Sequence, residues 1–188
     1  MDLLFEILTL QKPSIFIREY EEEIFNLIPE LEICKGFKQN NDWHIFDVYT
    51  HILHVVDYVP SDINIRLAAL FHDIGKPKTY TEDENKVGHF YGHWDKSKDI
   101  FLSFAKRNRL DEKMINQISK LIEYHDINTR NMSQEDLEIL LNKFTKEELI
   151  MLFKLKRADL LSQNTKYHHL LETYESEQKR TLKLKEQI

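Results

Sequence analysis

The sequence predicts an all-α fold, and three observations carry that expectation. Only four glycines and four prolines interrupt 188 residues. The stretches between them are rich in Leu, Ile, Glu and Lys, residues that tolerate or favour the helix. Apolar residues recur at three- and four-residue intervals, as in Val48, Ile52, Val55, Val56 and Val59, which is the spacing of one helix face. No segment shows a sustained two-residue alternation.

The elements follow in order. A first helix is expected over 2–10. A second follows Pro13, with Ser14 as N-cap, runs over 15–28 and stops at Pro29. Residues 31–44, with Gly36 and the Asn40-Asn41-Asp42 cluster, read as a loop. From Asp47 the stripe just described marks a helix ending at Pro60. Ser61 or Asp62 caps the next, which carries the run Leu67-Ala68-Ala69-Leu70-Phe71 into His72-Asp73. Residues 75–92 hold three of the four glycines and form the one long irregular stretch, of a kind that is usually functional in a compact domain. Within it "KTYTEDENKVGHFYG" suits a local hairpin across Glu82-Asp83-Glu84-Asn85. Helices are expected again at 93–107, 111–125, 134–142, 145–163 and 166–186, the last charged and solvated.

Composition narrows the function classes. With 41% hydrophobic and 31% charged residues the chain is globular. No apolar run approaches a membrane span, no secretory leader opens the chain, and the single Cys34 excludes an intrachain disulfide. A cytoplasmic protein is the expectation. A net charge of −6 argues against bulk nucleic-acid binding, and Lys96, Lys98, Lys106, Arg107 and Arg109 read as a solvated helix face. Histidine stands out, since seven of the nine lie between His44 and His125.

His72 and Asp73 are about 100° apart on a helix, so both reach a point off its C-terminal end. Imidazole with carboxylate is a ligand mixture for divalent Mn, Fe, Co, Ni or Zn. His51 lies on the inward stripe of its helix, between Val48 and Val55. His93 follows Gly92 at a helix start, His125 ends a helix one turn after Leu121, and Asp159 is flanked by Leu155, Ala158, Leu160 and Leu161. Taken singly, each is an ordinary satisfied core polar group. Five helices each aiming such a residue inward are explained most simply by a central metal site.

The order His51, His72-Asp73, Asp159 resembles the HD-domain metal-dependent phosphohydrolase superfamily, whose pattern is H…HD…D on a helical bundle. "DVYTHILHVVD", "RLAALFHDIGKP", "GHFYGHWDKSKDIF", "LIEYHD" and "RADLLSQN" look like consecutive blocks of the HD domain attached to bacterial CCA-adding tRNA nucleotidyltransferases and polynucleotide adenylyltransferases. They cover about Trp43 to Asn164. The resemblance implies an HD-domain helical bundle over 43–165, with a helical extension or cap at 1–42 and a C-terminal helix at 166–188. It implies that His51, His72, Asp73 and Asp159 bind a first metal, and that His93 and His125 complete a second site with Asp73 as bridge. His89 competes with His93 or contacts substrate. His54 and Asp57 are substrate-side or proton-relay candidates, and Lys76 is placed to hold a phosphate. Gly75 suits a backbone position of positive φ just past a helix end.

No paired carboxylates after a Gly-Ser motif precede these blocks, so a free-standing HD domain that does not add nucleotides is expected. The implied activity is hydrolysis of a nucleotide or other small phosphate ester, monoester or diester, by a water activated at one or two ions of Mn, Fe, Ni, Co or Zn, with Mg as a further candidate. A short RNA end is a further candidate substrate. A nucleotide-binding or sensor module without turnover and a di-iron oxygenase of the same superfamily are the alternatives.

Overall fold

In a computed structural model describing residues 1–188, the chain is helical throughout apart from one small hairpin. Local capping sets most boundaries. Asp47, Asp62, Asp111, Ser133 and Thr145 each accept a backbone N–H with their side chains, and so begin α5 (Val48–Tyr58), α6 (Ile63–Phe71), α9 (Glu112–Tyr124), α10 (Gln134–Leu141) and α11 (Lys146–Ser162). Thr145 and Glu148 form a reciprocal capping box at α11. Asp62 rather than Ser61 caps α6.

The N-terminal third departs from the sequence reading. After α1 (Asp2–Thr9), the helix expected over 15–28 divides at Tyr20 into α2 (Pro13–Glu19) and α3 (Glu21–Leu27). Pro13 is the first helical residue, where a missing N–H costs nothing. Ser14 is therefore not the N-cap. It donates from Oγ to Asp57 Oδ2 at 2.6 Å and from its backbone N–H to Oδ1 at 3.0 Å. Pro29 likewise starts a helix, α4 (Pro29–Cys34), which runs into the stretch expected as loop over 31–44.

Residues 75–92 contain α7 (Lys76–Thr79) and a two-stranded hairpin, β1 (Thr81–Glu82) against β2 (Gly88–His89), as the sequence suggested. Then comes α8 (His93–Arg107), whose N-cap Gly92 takes φ 76°. The C-terminal helix expected over 166–186 opens as a 3₁₀ segment, Thr165–Leu170, before α12 (Leu171–Lys185).

Helix α6 is the axis of the bundle, packed by α5, α9, α8, α11 and α1, and every residue from Ile65 to Phe71 is buried. Its Ala68-Ala69 pair lets neighbours approach closely. At its end the Phe71 ring meets Phe101 at 5.4 Å and Phe104 at 4.9 Å, which seats α8 on α6. Truncating such a ring costs about 3–5 kcal/mol. Leu4, Leu8, Ile17, Ile24, Ile28 and Leu31 join the same apolar core, so α1 to α4 pack as an integral layer against α5 and α6. No helix is long and apolar enough to cross a membrane.

Gly75 has φ −80°, so positive φ is not its reason. A Cβ there would lie 2.6 Å from Ser97 N and 2.7 Å from His93 O, and the Gly75 N–H donates to Ser97 Oγ at 2.9 Å. Glycine is needed because the first turn of α8 presses against this backbone.

Candidate metal centre

Five helix segments converge where α6 ends. Helix α5 supplies His51; the C-cap of α6 and the residue after it supply His72 and Asp73. The first residue of α8 is His93, the residue closing α9 is His125, and α11 carries Asp159. His51, His72, Asp73, His93 and His125 are all buried; the Asp159 side chain is 16% exposed and faces the cleft.

Asp73 lies at the centre. Its Oδ2 is 3.2 Å from His51 Nε2 and 3.3 Å from His72 Nε2, while its Oδ1 is 3.2 Å from His93 Nε2 and 3.6 Å from His125 Nε2. Asp159 Oδ1 is 3.0 Å from His51 Nε2. The two imidazole pairs also face each other, His51 and His72 at 3.4 Å and His93 and His125 at 3.2 Å between Nε2 atoms.

The other ring nitrogens explain the orientation. His72, His93 and His125 each place Nδ1 on the carbonyl three residues back, at Ala69 (2.7 Å), Phe90 (2.8 Å) and Ile122 (2.7 Å). A carbonyl only accepts, so Nδ1 carries the proton and Nε2 presents a lone pair. Lone pairs from several imidazoles and two carboxylates then crowd one point with few protons among them, an arrangement that a divalent cation satisfies and that hydrogen bonding within the protein does not. The donor set is nitrogen and oxygen, suited to first-row divalent metals. His51, His72 and Asp159 form one group whose ligand atoms lie within 4.8 Å of one another, and His72, Asp73 and His125 form another.

Electrostatics agree. Burial opposes charge on Asp73, but His72 and Lys76 beside it, with His125 and His51 against its oxygens, outweigh it and hold the carboxyl well below its usual range. Asp159 is likewise held low against burial, mainly by His51. Burial pulls the His51 imidazole down, yet Asp159 and Asp73 win and leave it raised to about 9.

Lys76 is 5% exposed, and its Nζ reaches Asp73 Oδ2 at 2.6 Å, Gln39 Oε1 at 2.8 Å and His44 Nε2 at 3.2 Å. Its three donors thus meet three acceptors. Sequence reasoning missed His44 and Gln39, which sit in an irregular segment with no periodicity to betray an inward face. His44 Nδ1 bonds Asn41 Oδ1 at 2.9 Å, and burial, Lys76 and His51 push its imidazole down to about 2, so it is neutral and accepts from the lysine.

His89 lies at the rim of the cleft, one-third exposed, its Nε2 3.3 Å from Asp83 Oδ2 and its ring stacked on Tyr91. His54 does not join the cluster. Its ring stacks on Phe46 at 4.6 Å, and Asp57 is engaged by Ser14, so the proton-relay role expected of either has no geometry here. The cleft, about 210 Å³, is lined by Asp73, Lys76, His93, His125 and Asp159, and also by His44, Trp94, Asp126 and Gln163, which sequence reasoning did not single out.

A family model described as HD domain matches residues 42–183. The chain is 29% identical over 105 residues to the multifunctional CCA protein of Nitrosococcus oceani, covering 54% of this chain and 25% of that protein. It is 26% identical over 145 residues to the multifunctional CCA protein of Shewanella frigidimarina, covering 74% and 34%. It is 30% identical over 105 residues to the CC-adding tRNA nucleotidyltransferase of Thermus thermophilus, covering 52% and 24%. The chain thus spans about a quarter to a third of the length of these curated relatives.

Proposed function

The chain belongs to the HD-domain family, and on that premise we propose that it hydrolyses the phosphoester of a nucleotide or another small phosphate ester with one or two divalent transition-metal ions. In this reading His51, His72, Asp73 and Asp159 hold the first ion, and His93 and His125 hold the second. The observation that carries it is the Asp73 carboxylate, with one oxygen toward His51 and His72 and the other toward His93 and His125. Bound there, the ions supply an acidified water and neutralise phosphate charge.

The chain's own groups do the rest. Nδ1–H bonds to backbone carbonyls fix the tautomer of the neutral ring and aim Nε2 at the centre. With Asp73 holding the ions, the Lys76 ammonium would keep Gln39 and His44 and would have its third N–H for a phosphate oxygen. His89, at the rim, is within the substrate's path. The tRNA in the name of one relative makes a short RNA end the second substrate class.

The test is phosphate release and product analysis with Mn, Ni, Co, Fe, Zn and Mg supplied separately. The substrates are nucleoside monophosphates, 2′,3′-cyclic nucleotides and a generic diester. Turnover abolished in Asp73→Ala supports the proposal. Protein that binds its ions yet turns over none of these esters refutes it and favours binding without turnover or oxygen chemistry.

A further inference from the structure

Beside the metal cleft lies a second hollow of about 360 Å³. The first turn of α8 contributes Trp94 and Asp95, the end of α9 contributes Glu123 and Tyr124, and Asp126 and Ile127 follow. Trp94 and Asp126 line both spaces. Each is the next residue after an imidazole of the cleft, His93 or His125, so the second hollow adjoins the cleft that Asp73 lines. Whatever is esterified to a phosphate held at Asp73 has this compartment next to it.

Its chemistry is specific. Trp94 and Tyr124 offer aromatic surface, and three carboxylates share the wall. Lys98 pairs with Glu123 at 3.0 Å and Asp95 at 3.4 Å, and Lys143 donates to the Tyr124 hydroxyl at 2.8 Å. Asp126 is exposed and has neither an ion pair nor a side-chain hydrogen bond in the protein. A lone carboxylate on the wall common to both hollows accepts hydroxyl or amino hydrogens and repels a phosphate.

We propose that this hollow receives the leaving group of the ester, and that it selects a nucleoside carrying no further phosphate. Resting on the hydrolase reading above, this assigns the substrate as a mononucleotide with one phosphate, and disfavours bisphosphates and RNA ends. Hydrolysis forms a P–O bond from water and breaks the ester P–O bond. The departing nucleoside oxygen takes up a proton released by the attacking water, and the alcohol leaves through this hollow. The base stacks on Trp94, and a sugar hydroxyl donates to Asp126.

Two readouts on the full chain test it. In Trp43→Phe protein Trp94 is the only indole, so added adenosine should quench its fluorescence saturably, and Asp126→Asn should weaken that binding. With Mn-loaded protein, kcat/KM for adenosine 3′-monophosphate should exceed that for adenosine 3′,5′-bisphosphate by about 10-fold, and Asp126→Asn with Glu123→Gln should shrink the ratio toward one. Equal turnover of both substrates, unmoved by these variants, refutes the leaving-group assignment and leaves the hydrolase standing. Quenching without turnover of any ester refutes the hydrolase and leaves a nucleoside-binding hollow. Absence of quenching overturns the stacking of the base on Trp94 whatever the turnover.

Discussion

Replacing Gly75 by alanine should damage one half of the metal centre and spare the other. The added methyl would start 2.6 Å from Ser97 N and 2.7 Å from His93 O, and ordinary contact begins near 3.4 Å. Both obstacles are backbone atoms, so relief requires the first turn of α8 to retreat by about 0.8 Å from the end of α6. His93 starts that turn and moves with it, whereas His51, His72 and Asp159 stand on other elements. Overpacking of this kind costs about 1–3 kcal/mol. The Gly75 to Ser97 hydrogen bond adds about 1 kcal/mol when it breaks. A combined loss of about 3 kcal/mol in a chain of this size lowers Tm by about 6–12 °C. Calorimetric titration with Mn should then show the tighter site retained and the second weakened at least 10-fold, with thermal unfolding measured in parallel. Two sites of unchanged affinity in Gly75→Ala would refute the reasoning, because His93 would then be indifferent to the position of its own helix.

Lys76→Met should destabilise chelator-treated protein by about 3 kcal/mol, since it strips the buried Asp73 carboxylate of its ammonium partner. Urea unfolding should show a smaller loss when Mn is present. Chelator-treated protein should also have a characteristic pH profile. His51 is raised from 6.5 to about 9, so its contribution is full below pH 6.5 and lost as pH climbs through 9. Asp73 and Asp159 are lowered from 3.8, so theirs is present above pH 3.8 and lost as pH falls below it. Tm against pH should therefore peak between 3.8 and 6.5, and bound metal, which needs neutral imidazole, should flatten the alkaline fall. His54→Ala should leave metal stoichiometry unchanged and turnover within about twofold, checked by metal analysis and steady-state rates.

Periodicity made much of this legible. The inward stripe of α5 announced His51, and the apolar run of α6 led straight to His72 and Asp73. His54 shows where that signal stops: it lies three residues on from His51, near the edge of the same stripe, yet its ring stacks on Phe46 and Tyr58 instead of joining the cleft. His44 and Gln39 were invisible because their segment has no repeat, and its course is set by contacts with Lys76 and the hairpin, far apart in sequence. The prolines misled for a different reason. Proline both ends one helix and starts another: α3 does stop before Pro29, but Pro29 also opens α4, and Pro13 stands as the first residue of its helix rather than before it. Gly75 was picked out correctly as special, but close packing rather than φ makes it so, and packing distances are not written in local sequence.

The bonds from three imidazole Nδ1 atoms to carbonyls within their own turns have a consequence for how this site tolerates change. Ring direction is fixed by the parent turn alone, so it survives when neighbouring side chains are exchanged. Core substitutions can slide the helices and alter the separation between rings, but each ring keeps its bearing. Divergence of the surrounding sequence therefore acts on the centre as a change of aperture, adjusting which ion fits before it abolishes the ability to bind one.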